Sequence, residues 1–362
     1  MARKKEVIDP ANKLVDDLMS RYGVEIHRGA ETDSYTRVIP TGIPPFDLAS
    51  GIGGLPGGKM IEFWGPESGG KTAFALHCIG YMQRTLRERA FFANLENDTT
   101  GKWMHTLGIQ DDLLHRMDGC PLNPKKDHVP SGEIFLDILY DLIDSERYGI
   151  ILVDSLPKIE SEASFERGLD RNQMVAENAK LYKRGFGRCV TRLAKTETCL
   201  ILINQLTFKI GRMIVDPETT PGGQSLKHLK PMSAKFRRGK GRKKGGRTAG
   251  HDLAFKFKKN KFARPDGSGE VFLNYDTGFD VVTPLLLPAV ERGIIRGGGR
   301  NWTFDGVTYE GQDEIQSAIA ADDKLFKKLW DQIQASGGMS SRVDVETMDA
   351  DDLGDQTVSE DP

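Results

Sequence analysis

Residues 65–72 read GPESGGKT, a glycine-rich octet that closes on Lys-Thr. Gly65, Gly69 and Gly70, with Pro66, Glu67 and Ser68 between them, allow backbone N–H groups to turn inward around phosphate oxygens. Lys71 then reaches the β and γ phosphates of a nucleoside triphosphate, and the Thr72 hydroxyl is placed to ligate Mg2+. Three other apolar runs end in groups that suit the same chemistry: FFANL at Glu96, GIILV at Asp154, and LILI at Asn204 and Gln205. Asp154 fits the acid associated with the metal, and Glu96 fits the group that orients and deprotonates an attacking water. Gln205 fits a sensor of the γ-phosphate at the mouth of the loop that follows it. Each has a plainer alternative: a helix N-cap at Asp154, a solvated strand-end carboxylate at Glu96, and a capping amide at Gln205.

Those groups converge only if the chain folds as alternating strands and helices. MIEFW (60–64) precedes the glycine loop, and a helical segment runs from Thr72 to Leu86. RAFFANL (89–95), a helix over Gly132–Ser145, GIILV (149–153), a long helix over about 173–196 and TCLILI (198–203) follow. Near-continuous apolar strands alternating with helices predict a parallel sheet covered on both faces, whose carboxyl ends meet at one crevice. Segments 252–262 and 269–275 predict two β-strands around the turn RPDGSG. Residues 10–22 predict a short amphipathic helix, and 284–335 a smaller unit ending in a helix near Asp323–Ile333.

Charge is distributed unevenly. The net −2 on 362 residues comprises −8 on residues 343–362 and +6 on the remainder. Residues 235–247 (KFRRGKGRKKGGR) hold eight basic groups and no acid. A basic body with an acidic tail suits an anionic partner and a competitor for the same surface, or simply a solubilising tail. In the segment after Gln205, the cations Lys209 and Arg212 stand among Phe208, Ile210 and Met213, the mixture a single-strand nucleic-acid site needs. With a mean hydropathy of −0.43 and no apolar run of 18 residues, neither a membrane span nor a signal peptide is expected. Cys78, Cys120, Cys189 and Cys199 show no metal-site spacing and read as reduced thiols.

Taken in order, GPESGGKT, Glu96, LGI (107–109), ILVDS (151–155), INQ (203–205), KIG (209–211), DPETTPGG (216–223), RR (237–238) and KNK (259–261) resemble the bacterial-type RecA recombinases, phage-encoded relatives included. The likeness covers roughly residues 10–335. It implies an α/β fold: a RecA-like P-loop NTPase core with a mostly parallel sheet flanked by helices, a short N-terminal helix and a small C-terminal α/β domain. The corresponding divisions are 1–35 for the protomer-docking helix and linker, 36–283 for the core, 284–335 for the C-terminal domain and 336–362 for an acidic disordered tail. The resemblance further implies a DNA-dependent ATPase using ATP and Mg2+. Such a protein forms a helical filament of its own copies on single-stranded DNA, and pairs that strand with homologous duplex DNA in the cytoplasm, or in the host cytoplasm for a phage-encoded member. Single-strand-binding and mediator proteins would be further partners.

By the same resemblance, Trp103 lies on the adenine, and Lys259 and Lys261 reach the γ-phosphate of a neighbouring protomer. Residues 165–174, with Arg167 and Arg171, and residues 206–225, with Phe208, Lys209, Ile210 and Arg212, are DNA-binding loops. The chain departs from the family's pattern at Thr100, where an acid is usual, at His228, where an aromatic is usual, and in the added arginines of the first loop. A ring-forming replicative helicase and a non-catalytic ATP-gated scaffold are the competing readings. The short N-terminal helix and KNK argue against the first, and the presence of both Glu96 and Asp154 against the second.

Overall fold

The computed structural model describes residues 9–23, 26, 34–126, 129–166, 171–208, 218–244 and 246–336. Helix α1, Pro10–Tyr22, begins at Asp9, whose side chain accepts from Ala11 N at 3.0 Å, and stops at Gly23 in the left-handed conformation. None of its residues is buried among the described residues: Leu14 is exposed, and Val15, Leu18 and Met19 are only partly covered. Short helix α2 follows at Pro44–Ser50.

The sheet is built around β1, Met60–Gly65. Helix α3 (Lys71–Leu86) leads to β2 (Arg89–Asn94), α4 (Gly101–Thr106) and β3 (Leu114–Asp118). Then come α5 (Gly132–Asp144), β4 (Tyr148–Asp154), α6 (Arg171–Leu193) and β5 (Cys199–Gln205). After α7 (Gly223–Leu229), strands β6 (Met232–Lys244), β7 (Arg247–Asn260), β8 (Ser268–Asn274) and β9 (Gly278–Asp280) complete nine strands in the order β9-β8-β7-β6-β1-β5-β4-β2-β3. Pairing is parallel from β6 through β1 to β3 and antiparallel from β6 to β9.

Alternate residues of the apolar strands divide between two cores, as expected of strands covered on both faces. Ile61, Phe63, Ile150, Leu152, Ile201 and Ile203 join α3 on one face. Ile151, Val153, Leu200 and Leu202 join α5 and α6 on the other. The first face is knitted by phenylalanine rings. Phe46, Phe74 and Phe255 lie 4.9 to 6.3 Å apart, within the range where tilted rings attract one another. A third core gathers α8 (Thr283–Glu291), the three-stranded sheet β10 (Arg296–Gly298), β11 (Asn301–Phe304) and β12 (Val307–Glu310), and helices α9 (Gln312–Ala321) and α10 (Asp323–Ala335). Tyr81 of α3 packs into that core, and Arg84 pairs with Asp323 at 3.1 Å, fixing it to the larger unit. No described helix is long and apolar enough to cross a membrane.

One segment is more regular than its composition predicts. Of the basic run, residues 235–244 lie in β6 and Arg247 opens β7, the two strands pairing antiparallel as a long hairpin as far as Lys244 and Arg247. Backbone ladder bonds need no apolar alternation, which is why the run carries no strand signature. Arg242 steadies it by pairing with Asp252 at 2.5 Å and lying 4.4 Å from the Phe272 ring centre.

His77 of α3 is buried, with its ring 5.2 Å from that of Phe279 and with Nε2 lacking a partner among the described residues. Burial, helped by nearby Arg84, pushes its pKa down to about 3. The unfolded chain takes up this proton below about pH 6.5 and the folded chain does not, so stability is full above that pH and falls as acid is added. This group contributes up to about 1.4 kcal/mol of lost stability per pH unit. Urea melts of His77→Leu between pH 6 and pH 4 should therefore show a shallower acid limb than the parent; an identical slope would exonerate His77.

Candidate functional site: a nucleotide cleft at the strand ends

β1 delivers the chain into the glycine loop, and α3 begins at Lys71 immediately after it. Ser68 and Gly70 have φ of 54° and 78°, which turn successive N–H groups toward the same side. Space also demands glycine: a Cβ on Gly65 would sit 2.2 Å from Phe236 O, and one on Gly70 2.7 Å from Leu253 Cδ1. The loop and the ends of β2, β4 and β5 surround a cleft of about 520 Å3 lined by residues 67–73, Glu96, Asp98, Trp103, Asp154, Ser155, Gln205, Arg238, His251 and Tyr275, among others. Lys71, Thr72, Glu96, Asp154 and Gln205, separated by up to 134 positions in sequence, thus face one space.

Their contacts form two chains. Thr72 Oγ1 donates to Asp154 Oδ2 at 2.5 Å, and Lys71 Nζ donates to the carbonyls of Pro66 at 2.6 Å and Gly65 at 3.2 Å. Burial pushes the Asp154 pKa up to about 7; the Thr72 hydrogen bond and Lys71 oppose this, while Glu96 and Asp98 add to it. Burial also lowers the Lys71 pKa against the pull of Asp154, Glu96 and Glu67. The second chain centres on Glu96 Oε1, which accepts from Ser155 Oγ and from Gln205 Nε2, the latter at 3.2 Å. One residue beyond Gln205, Leu206 N bonds to Gly65 O at 3.1 Å. Thr207 and Phe208 then pair antiparallel with Thr219 and Glu218, so the two ends of segment 209–217 lie side by side.

The residues present suit a magnesium-bound nucleoside triphosphate. The loop's backbone is a cradle that side chains would fill, and a hydroxyl and a carboxylate stand together at its lip. Thr72 and Asp154 would hold the ion, which would neutralise charge on the phosphates. Thr100, where an acid is usual in the resembling family, has a structural task here: its hydroxyl caps α4 by accepting from Trp103 N at 3.4 Å.

Lys259 and Lys261 do not line this cleft. Lys259 Nζ donates to Lys227 O at 2.6 Å, and Lys261 is exposed. Arg171 opens α6 and Phe208 lies in the short ribbon, with neither side chain among those described. Arg167, Lys209, Ile210 and Arg212 lie outside the described residues. Sequence reading missed Asp98, Ser155, Arg238, His251 and Tyr275 as lining groups. Arg238 and His251 come from the antiparallel pair β6 and β7 and Tyr275 from the residue after β8, and only the register brings them together. Ser155 and Arg238 stood inside quoted motifs, ILVDS and RR, which was the available signal.

The family model for the RecA N-terminal domain matches residues 8–280. A protein named Protein RecA from Saccharopolyspora erythraea is 32% identical over 328 residues, covering 90% of this chain and 91% of that one. Those of Lactobacillus acidophilus and an Arthrobacter species are 29% and 33% identical, over 94% and 84% of this chain and 90% and 83% of theirs. The nucleotide loop, the strand-end acids and the match along most of the chain together establish that the protein belongs to the RecA family of ATP- and DNA-binding proteins of DNA recombination and repair.

Proposed function

We propose that the protein is a DNA-dependent ATPase that assembles as a helical filament on single-stranded DNA, pairs it with homologous duplex and exchanges strands. One observation carries this reading. Glu96, placed to activate water, shares its Oε1 with Gln205, the last residue before the DNA-facing segment 206–225. A γ-phosphate arriving between them competes for the Gln205 amide and so couples nucleotide state to that segment.

In this scheme Lys71 and the loop N–H groups hold the β and γ phosphates, and Thr72 and Asp154 hold Mg2+, which neutralises charge on the phosphates. Ser155 orients Glu96 toward the water. Trp103 packs on the base. Arg167, Arg171, Phe208, Lys209, Ile210 and Arg212 bind single-stranded DNA, cations to phosphates and apolar groups to bases. Lys259 and Lys261 reach across to the nucleotide of the next protomer, whose docking is secured by α1; that neither lines its own chain's cleft supports this. The third-core unit gathers duplex DNA, and the tail at 343–362 competes with DNA for basic surfaces. Electron microscopy with ATP and single-stranded DNA tests the architecture: closed rings in place of helical filaments would reject it.

Lys71→Ala should abolish ATP hydrolysis with or without single-stranded DNA in a phosphate-release assay, and retained DNA-stimulated turnover would refute the assignment. Glu96→Gln should cut turnover by about 10² to 10⁴-fold while preserving ATP-dependent DNA binding; turnover at the parent rate would remove Glu96 from its role. Truncation after Ser341 should tighten duplex binding most at low salt, since screening weakens the competition as salt rises. Equal affinities for both forms across a salt series would eliminate the tail as a competitor.

A further inference from the structure

The cleft's wall beyond the phosphate loop carries a hydrogen-bonded trio that the phosphate chemistry leaves unused. Arg238 of β6, His251 of β7 and Tyr275, just past β8, all line the cleft. Arg238 Nη2 donates to Tyr275 Oη at 2.8 Å. His251 Nδ1 lies 2.9 Å from the same oxygen, with the two rings 5.5 Å apart.

Register locates this trio along the nucleotide. Residues directly opposite in an antiparallel pair share a face, and here Arg238 faces Leu253 while His251 faces Leu273. Leu253 packs against Gly70 at the phosphate loop. His251 lies two residues farther along the same face of β7, a step of roughly 7 Å. That is the scale separating a nucleotide's phosphates from its nucleoside. Trp103 and Leu273 add flat and apolar surface to the same cleft.

The proton inventory gives the trio a direction. A guanidinium can only donate, so Tyr275 Oη accepts from Arg238, and its own proton is free to pass to a nitrogen acceptor. Burial, with Arg238 close by and against the pull of Asp252, lowers the pKa of His251 and so favours the neutral ring, whose Nδ1 can take that hydrogen bond. The imidazole proton then resides on Nε2, which is buried with no partner among the described residues. At 4% exposure, the ring forfeits one hydrogen bond in order to make the other.

We propose that His251 is a positioning residue for the nucleoside half of the bound triphosphate: with Arg238 it fixes Tyr275 as a wall of the nucleoside subsite. It governs affinity and not the rate of phosphoryl transfer. The inference rests on the nucleotide reading of the cleft.

The test is a double-mutant cycle on the full-length protein, with ATPγS binding followed by calorimetry and ATP turnover measured on single-stranded DNA. His251→Phe keeps a ring beside Tyr275 and removes Nδ1, while His251→Asn returns a hydrogen-bonding atom near that position. Losing one such bond should weaken ATPγS binding and raise KM about 5- to 10-fold, with kcat within about twofold. His251→Asn should recover part of the loss. Tyr275→Phe should lose as much, and the double variant no more than either single one. Unchanged affinity in His251→Phe, a loss confined to kcat, or fully additive losses would overturn the proposal. If His251→Phe does not fold, His251→Ala takes its place in the cycle. Lys71→Ala separates the two readings: ATPγS binding as tight as in the parent rejects the nucleotide cleft itself, whereas weakened binding together with additive losses rejects only the role of His251.

Discussion

The site is governed by an imbalance of charge. Four carboxylates, Glu67, Glu96, Asp98 and Asp154, line a cleft at the strand ends with Lys71 among them. Burial drives the Asp154 proton affinity up and that of Lys71 down, so each charged form is disfavoured and neither fully satisfies the other. A cleft of this kind favours a ligand that brings negative phosphates to Lys71 and the loop N–H groups together with a divalent cation for the acids. The glycines that let the backbone approach and the apolar strands that hold the acids in place serve that balance.

Behind the cleft, a second charged group ties the strands together where they emerge from the core. Glu62 of β1 is buried and pairs with buried Lys230; it also accepts from Asn204 Nδ2 at 2.9 Å and from Ser233 Oγ at 2.8 Å. Asn204 reaches Pro221 O at 3.1 Å as well. One carboxylate therefore joins β1, β5, the start of β6 and the residues that close the segment after Gln205. Removing either member of such a pair leaves a buried charge uncompensated, which is costly even where the intact pair adds little net stability. The ends of the segment 206–221 are thus anchored to the strands that carry the glycine loop. Glu218, bonded to Lys235, adds a second anchor beside the Trp64 ring.

Much of this was legible in the sequence. The strand-end groups could be read because each follows a near-continuous apolar run, and a parallel sheet covered on both faces sends all such runs to one edge. α1 could be read from its helical spacing, and Asp9 and Gly23 prove to close its two ends. Segment 252–262 could be read as a strand, and most of it lies in β7, but the basic stretch that extends β6 to Lys244 could not, because its ladder is a backbone property and its side chains are solvated cations without alternation. Nor could the His251–Tyr275 contact, which joins residues 24 apart on neighbouring strands and depends on the β7–β8 register. Thr100 illustrates a third kind of loss. Read against a family pattern it is a missing acid, whereas locally it is an N-cap that sets the direction of the helix carrying Trp103.

The filament proposed here also explains features that a single chain leaves unused. A helix with an apolar stripe and no buried residue gains little from folding alone, since packing supplies most of a short helix's stability. Lys259, held by the carbonyl of Lys227, is stripped of water enough to lower its pKa, and Lys261 and Lys230 press it further in the same direction. Lys259 and Lys261, which make no ion pair among the described residues, are poised to gain from an incoming phosphate. If the γ-phosphate comes from the next protomer, one event neutralises the lysines, buries the apolar face of α1 and completes the charge balance of the cleft. Nucleotide binding and assembly would then share a single free energy, so that neither is favourable in full without the other.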